Sequence, residues 1–372
     1  MSGAVKYHEG RFPPKGLDWE RLVPLVGPAT AALARYDGLL IAIPNSSVLL
    51  SPLTTNEAVL SSRIEGTQAT IGEVLEYEAS PGGPSLPPEK IADIHEVINY
   101  RNAMLEAERL LRELPLCIRV LREAHRILMS GVRGQGKAPG EYRRIPNWIG
   151  PPGCGIEDAR YVPIEAGSLP DAMSRWETYV NSDQPDVLVQ TAIMHAEFEA
   201  LHPFLDGNGR LGRMWIPLFL FQRGVIRRPY FFISEYFEKH RDAYYDSLLG
   251  VSRDHDWTAW CVFFLKAIVE QAEANRTKAE AIVRLYRRMN EELSGMLKSQ
   301  FSSLAVEFLF QRPIFSGSDF VHARIPEPTA RILLNKLRDF NILREIRPAG
   351  GRRAAIFGFT ELVNITEGEP VL

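Results

Sequence analysis

Cysteine is scarce in this chain. The three present, Cys117, Cys154 and Cys261, are odd in number and share no close spacing. That excludes a disulfide framework or a cysteine-built metal centre as the organising feature. Long apolar runs are missing as well: nothing approaches the roughly 20 residues a membrane helix needs. The stretch from Met214 to Phe221 reads as a buried helix only. The N-terminus is polar, without the apolar core of a signal peptide. With the unpaired cysteines, this predicts a cytoplasmic protein in a reducing compartment and no membrane partner. Net charge is slight, −3 from 43 Lys and Arg against 46 Asp and Glu, so no global field draws the chain to nucleic acid or lipid. There are no internal repeats. Length is ample, because 372 residues suffice for two or three domains and bury roughly three-quarters of the unfolded surface.

Chemistry is concentrated in one run, His202-Pro203-Phe204-Leu205-Asp206-Gly207-Asn208-Gly209-Arg210-Leu211-Gly212-Arg213. Helical spacing from about Asp186 to Ala200 ends at Leu201-His202-Pro203, and a second apolar helix runs from Arg210 to Gln222. The Gly207-Asn208-Gly209 turn therefore sits at a helix N-terminus, where unpaired N–H groups and the helix dipole favour phosphate oxygens. Two glycines let the backbone approach an anion closely. Arg210 and Arg213, three residues apart, share a face. Asp206 suits Mg²⁺, which takes few carboxylates plus phosphate oxygens. His202 is placed to accept a proton from an incoming hydroxyl, a role worth on the order of 10²–10⁴ in rate.

This run resembles the signature of the Fic family, H-x-F-x-D/E-G-N-G-R-x-x-R, at every fixed position. The resemblance implies a protein AMP transferase that uses ATP and Mg²⁺. His202 would be the general base and Asp206 the Mg²⁺ ligand. Asn208 and the backbone of Gly207 and Gly209 would hold the α-phosphate, Arg210 the β-phosphate region and Arg213 the γ-phosphate, with Phe204 anchoring the loop. Family members that phosphorylate their targets carry Ala-Asn-Lys-Arg-like loops instead, so Gly207–Arg210 is similar to the loop of an AMP transferase. Upstream, Ser61-Ser62-Arg63-Ile64-Glu65-Gly66 resembles the family's inhibitory motif S/T-x-x-x-E-G/N. It implies that Glu65 pairs with Arg213 and withholds it from ATP. Read by itself, the hexapeptide is an ordinary helix end with Gly66 at the C-cap. The same glutamate leaves a de-AMPylating hydrolase, or a bifunctional enzyme, open.

Residues 140–163, extended pieces joined by Gly and Pro, read as a hairpin or long loop. By resemblance this is the flap that registers a target strand by backbone pairing. Gly131–Ala138 has the spacing of a P-loop, but Ala138 stands where Ser or Thr would bind Mg²⁺ and Pro139 breaks the helix that should follow. It is a basic loop. The expected fold is mainly α: an N-terminal segment with the inhibitory helix over 1–88, a Fic-type helical core with a β-hairpin flap over 89–298, and a winged-helix-like domain over 299–372. Expected helices include 29–40, 54–64, 71–79, 91–114, 118–129, 169–181 and 257–298. Between Ser318 and Arg353 eight basic residues face four acidic ones. Arg331, Lys336 and Arg338 would lie on a recognition helix and Arg352 and Arg353 on the wing, so DNA binding, protein docking and homodimer formation stay open. The partners implied are ATP and a target protein, with self-modification also open. The rival from another class is a DNA-binding regulator with a silent Fic core.

Overall fold

A computed structural model describes residues 3–43, 45–80, 86–131, 136–151, 153–297, 299–321, 324–350, 354–368 and 370. The wing-tip arginines Arg352 and Arg353, positions 81–85 of the linker and 132–135 of the Gly-rich loop lie outside them. The described chain is mainly helical. In order come α1 (Trp19–Ala42), α2 (Ser46–Leu49), α3 (Ser51–Ile64), α4 (Ile71–Ala79), α5 (Pro88–Leu110) and α6 (Ile118–Leu128). Next are α7 (Leu169–Val180), α8 (Val187–Leu201), α9 (Asn208–Gln222), α10 (Ser234–Lys239), α11 (Arg241–Arg253) and α12 (Trp257–Leu297). The last four are α13 (Ser302–Gln311), α14 (Gly317–Val321), α15 (Glu327–Asp339) and α16 (Thr360–Glu367). The strands are β1 (Val5–Lys6), β2 (Tyr161–Val162), β3 (Ile314–Ser316), β4 (Arg344–Arg347) and β5 (Ile356–Gly358).

Two compact units share these elements. The first takes Met1–Asp37, Leu60–Gly66 and Asn99–Glu273. Its centre is α8, on which even Gln190, Thr191, His195 and Glu197 are buried. A helix buried all round must hydrogen-bond its polar groups internally. Gln190 Nε2 accordingly donates to Tyr179 O and Ser182 O, and the indoles of Trp176 and Trp260 donate to Met194 O and Ala192 O at 2.9 and 2.7 Å. Asp186 caps the start of α8 by accepting the Val189 N–H at 2.8 Å.

The N-terminal arm differs from expectation. Helix α1 begins at Trp19, ten residues ahead of Ala29, and carries Pro24 and Pro28 inside it. An interior proline costs roughly 3 kcal/mol. The offset is one buried face, Leu22, Ala29, Leu33 and Tyr36, and an N-cap in which Asp18 Oδ1 accepts from Glu20 and Arg21. The pieces over 140–163, expected to form a hairpin or a long loop, meet among the described residues in a single antiparallel bridge, Ile149–Tyr161. Beyond it, Tyr161–Val162 pairs in parallel with Val5–Lys6, so its main-chain groups are engaged by the N-terminal arm.

The second unit takes Gly38–Val59, Thr67–Ile98 and Ala274–Leu372. A capping box closes α4: Thr70 and Glu73 exchange side-chain to backbone bonds at 3.2 and 2.9 Å. From α13 onward the order is helix, strand, helix, helix, strand, strand, helix, with β3, β5 and β4 in one antiparallel sheet. Two of the basic residues expected on α15 are ion-paired locally, Arg331 with Glu327 at 2.8 Å and Arg338 with Glu345 at 3.3 Å.

Loss of the α8 cap is the direct check on that helix's role: Asp186→Ala is expected to lower unfolding free energy by about 1 kcal/mol. Urea titration would show it as a lower midpoint at unchanged slope, and an unmoved midpoint would contradict the capping role.

Candidate active site

His202 stands where α8 ends, in the left-handed conformation at φ 47°, which costs a non-glycine residue about 1–2 kcal/mol. Arg143 holds it there. The Arg143 amide donates to Pro203 O at 2.9 Å, its Nε to His202 O at 2.9 Å, and its Nη2 to Leu201 O and Ile164 O. A buried guanidinium thus satisfies the last carbonyls of α8, at the negative end of the helix dipole. Burial pushes the His202 imidazole down to about 4; Arg143 adds to the effect, and together they outweigh Glu65, the Glu199 main chain and Asp206. The ring is therefore neutral at physiological pH, and it lines the cavity. A neutral imidazole at a cavity wall is equipped to take a proton.

The loop after His202 is closed on itself. Asn208 Oδ1 accepts from Phe204 N and its Nδ2 donates to Phe204 O, both at 2.9 Å. That side chain is spent on shaping the loop, and what Asn208 offers an anion is its backbone N–H. Phe204 is fully buried and stacks on His125 with ring centroids 3.7 Å apart. Gly140 N donates to His125 Nδ1 at 2.8 Å, which assigns the ring proton to Nε2 and its bond to Asp206 O at 3.0 Å. Gly207, at φ 79°, opens α9, and the amides of Asn208 and Gly209 lie in its first turn, where no helical acceptor exists. Asp206 Oδ1 accepts from Gly207 N at 2.6 Å, and the carboxylate is 45% exposed. Arg210 is buried, its Nη2 3.4 Å from Asp206 and 3.8 Å from Met129 Sδ.

Arg213 is one turn further along α9 and buried. Its Nη2 donates to Glu65 Oε1 at 2.6 Å and to Ser61 O at 2.8 Å, and its Nε donates to Ser61 Oγ at 3.0 Å. Glu65 follows the last turn of α3, before Gly66 at φ 100°. Burial pushes its carboxyl up, but Arg213, with Arg210 and His202, outweighs this and holds it below the usual carboxylate range. Its side chain keeps 35% of its surface open, facing a cavity of about 540 Å³. Gly209 makes the room: a Cβ there would overlap Glu65 Oε1 and lie 2.9 Å from Arg213 Nη1.

Of the residues expected at the site, Glu65, His202, Gly209 and Arg213 line this cavity together. Phe204, Asp206, Gly207, Asn208, Arg210, Ser61 and Gly66 stand behind or beside its wall. Much of the rest comes from α11, which has no motif: Tyr244, Tyr245, Leu248, Leu249 and Ser252. Their three- and four-residue spacing is visible in the sequence, yet it marks a helix face and not a site. Trp148, Ile149 and Gly150 supply another side of the cavity. Behind Ser252, His8 Nδ1 lies 2.8 Å from its Oγ and His8 Nε2 lies 2.8 Å from Glu197 Oε2, while Tyr7 donates to Glu197 Oε1. The arm thus buttresses the cavity, through contacts nearly 190 residues or more apart that no local pattern reveals.

The Fic/DOC family N-terminal model matches residues 23–109 and the Fic/DOC family model residues 115–220, together more than half of the chain. The chain belongs to the Fic/DOC family. This Fic protein is 29% identical over 168 residues to "Protein adenylyltransferase Fic" of Drosophila grimshawi, covering 43% of this chain and 32% of that protein. To the protein of that name in Culex quinquefasciatus it is 28% identical over 192 residues, 50% of this chain and 34% of the other. It spans about a third of the length of these relatives. A Fic family protein from Desulfovibrio desulfuricans G20 shares the fold with TM-score 0.59 at 21% identity, over 93% of this chain and 97% of that one. Fic-1 (residues 134–508) of C. elegans does so with TM-score 0.51 at 20% identity, over 72% and 76%.

The closeness of Gly209 to Glu65 gives a coupling that can be measured. Gly209→Ala is expected to cost about 1–3 kcal/mol by overpacking, and clearly less in a Glu65→Ala background, a coupling above about 0.5 kcal/mol. Denaturant titration of the four proteins checks it; equal costs in both backgrounds would mean that the added methyl does not meet Glu65.

Proposed function

We infer that this Fic protein transfers AMP from Mg-ATP to a hydroxyl of a target protein, and that Glu65 holds it inactive. The observation that carries the reading is one cavity lined by a neutral, buried imidazole, by the first turn of a helix and by a guanidinium engaged by a removable carboxylate. His202 takes the proton of a target Tyr, Thr or Ser hydroxyl, whose oxygen attacks the α-phosphorus. The bond from that phosphorus to pyrophosphate breaks in line, and pyrophosphate leaves. The amides of Asn208 and Gly209 and the dipole of α9 stabilise the charge that develops on the α-phosphate oxygens. Arg210 is read as serving the β-phosphate region and Arg213 the γ-phosphate.

Asp206 is the residue that would hold Mg²⁺. Its half-exposed carboxylate at the edge of the loop fits an ion that takes few protein ligands and completes its shell with phosphate oxygens and water. When bound, the ion neutralises phosphate charge. The apolar wall from α11 and from 148–151 suits an aromatic base. Exposed Ile145, Trp148 and Ile149, next to the Ile149–Tyr161 bridge, suit a target segment docking by backbone pairing.

Inhibition follows from the ion pair. While Glu65 occupies Arg213, the γ-phosphate meets a carboxylate in place of a guanidinium. Breaking a fully buried pair by removing one partner costs about 3–5 kcal/mol, and the open face of Glu65 puts its pair below that. An ionised Glu65 beside His202 also favours a second reading, in which it orients water to remove AMP from a modified target.

Wild type, Glu65→Gly and His202→Ala would be compared with Mg²⁺ and ATP labelled on the α- or the γ-phosphate, using lysate as a source of targets. α-Label on protein is expected to rise at least about tenfold in Glu65→Gly and to vanish in folded His202→Ala. γ-Label on protein, or retained transfer by His202→Ala, would sink the reading; loss of AMP from pre-modified target would favour the hydrolase. Since the His202 proton leaves at about 4, below the usual 6.5, transfer by Glu65→Gly should hold as pH falls through 6.5 and fail only below about 5. An acid limb centred near 6.5 would contradict a depressed imidazole.

A further inference from the structure

One carboxyl group in the cavity has no part in the chemistry above. Glu199 lies on α8 one turn before His202 and lines the same cavity as Glu65 and Arg213. Its side chain is only 12% exposed, and its Oε1 is buried with no hydrogen-bond partner. Buried carboxyl oxygens are rarely left so. His195 Nε2 is 4.0 Å from that oxygen, and both nitrogens of its ring are engaged, with Gly212 O and the Tyr244 hydroxyl. A Cβ on Gly212 would overlap Glu199 Oε1, so this carboxyl lies against α9 one residue before Arg213.

We propose that Glu199 is a second brake on Arg213: it takes the guanidinium when Glu65 leaves and so competes with nucleotide phosphate. The inference rests on the assignment of Arg213 to phosphate binding. Two carboxylates flank one buried arginine, and one cation stabilises only one of them well at close range. With Glu65 seated, burial pushes the Glu199 carboxyl up to about 8; Arg213 pulls it down and Glu65 adds to the rise. Glu199 is then neutral at physiological pH and its oxygen idle. Displacing Glu65 removes a repelling charge and frees the guanidinium that favours ionisation. Glu199 loses its proton to solvent and becomes the local counter-ion. The other groups facing it are His195 and His202 on α8 and Tyr244 and Tyr245 on α11. Burial and Glu199 keep Tyr244 protonated, and burial and Glu65 do so for Tyr245. Burial keeps both histidines neutral, so none of the four competes for Arg213. Relief of inhibition is thereby graded by pH. Below the Glu199 transition a released Arg213 is free for phosphate, and above it a nucleotide must displace a second carboxylate.

Two measurements on the full chain test this. Without nucleotide, carbon-13 NMR of the Glu199 carboxyl, assigned by its loss in Glu199→Gln, would be followed against pH in wild type and Glu65→Gly. The midpoint is expected to fall by at least one pH unit in Glu65→Gly; an equal or higher midpoint overturns the proposal whatever the ligand is. Calorimetry with Mg²⁺ and a non-hydrolysable ATP analogue would then compare Glu65→Gly with Glu65→Gly/Glu199→Gln from pH 6 to 9. The double variant is expected to bind roughly fivefold tighter at pH 8.5, the gap closing toward pH 6. Equal affinities at every pH overturn the brake while leaving nucleotide binding intact. If Glu65→Gly binds no nucleotide, the phosphate assignment fails, and the competition with phosphate fails with it.

Discussion

A buried guanidinium needs a counter-charge, and the site is organised around how Arg213 gets one. The arginine is fully enclosed, so leaving it unpaired would cost several kcal/mol. In the structure the charge comes from Glu65, with the Ser61 carbonyl and hydroxyl taking two more of its donors. Under the proposed function a nucleotide supplies the same charge from its phosphates. Inhibition and binding are therefore two ways of meeting one electrostatic demand, and exchange between them needs no rebuilding of the fold. The 35% exposure of Glu65 fits this, since a carboxylate open to the cavity can leave where a sealed one could not.

The rest of the site consists of supports that hold reactive groups in conformations they would not choose. His202 sits at positive φ because Arg143 gathers the carbonyls around it. The loop keeps its shape because Asn208 closes on Phe204 and Phe204 stacks on His125. The Asn208–Phe204 closure is local, while Arg143 and His125 reach the loop from segments distant in sequence, so strain is confined to the few residues facing the cavity. Burial then sets the chemistry: the same enclosure that lowers His202 raises Glu199. An acceptor and a latent acid thus lie one helical turn apart.

Much of this was legible in the sequence. The His202–Arg213 run specifies a helix end, a tight turn and a helix start through local chemistry alone, because glycine and the Leu-His-Pro break act over a few residues. Helices α4 and α6 and the strands β4 and β5 were readable within a few positions for the same reason. The readings that missed had non-local causes. Helix α1 continues through two prolines because distant packing rewards its buried face. The stretch before Tyr161 makes one bridge because the N-terminal arm takes the following residues.

The sequence by itself determined which groups are present and how close neighbours are arranged: the imidazole and carboxylate of the signature, the Gly-Asn-Gly turn and the arginines one helical turn apart. It also carried the glutamate of the upstream motif, with Arg213 as the partner that the resemblance implies. The pairing of Glu65 with Arg213, implied by the resemblance, is formed across nearly 150 residues; tertiary structure alone decided that Asn208 turns inward, that α11 walls the cavity and that Glu199 Oε1 is buried without a hydrogen-bond partner. The physical reason is range. Turn and capping preferences act within one or two helical turns, whereas burial and ion pairing depend on what the folded chain brings from far away.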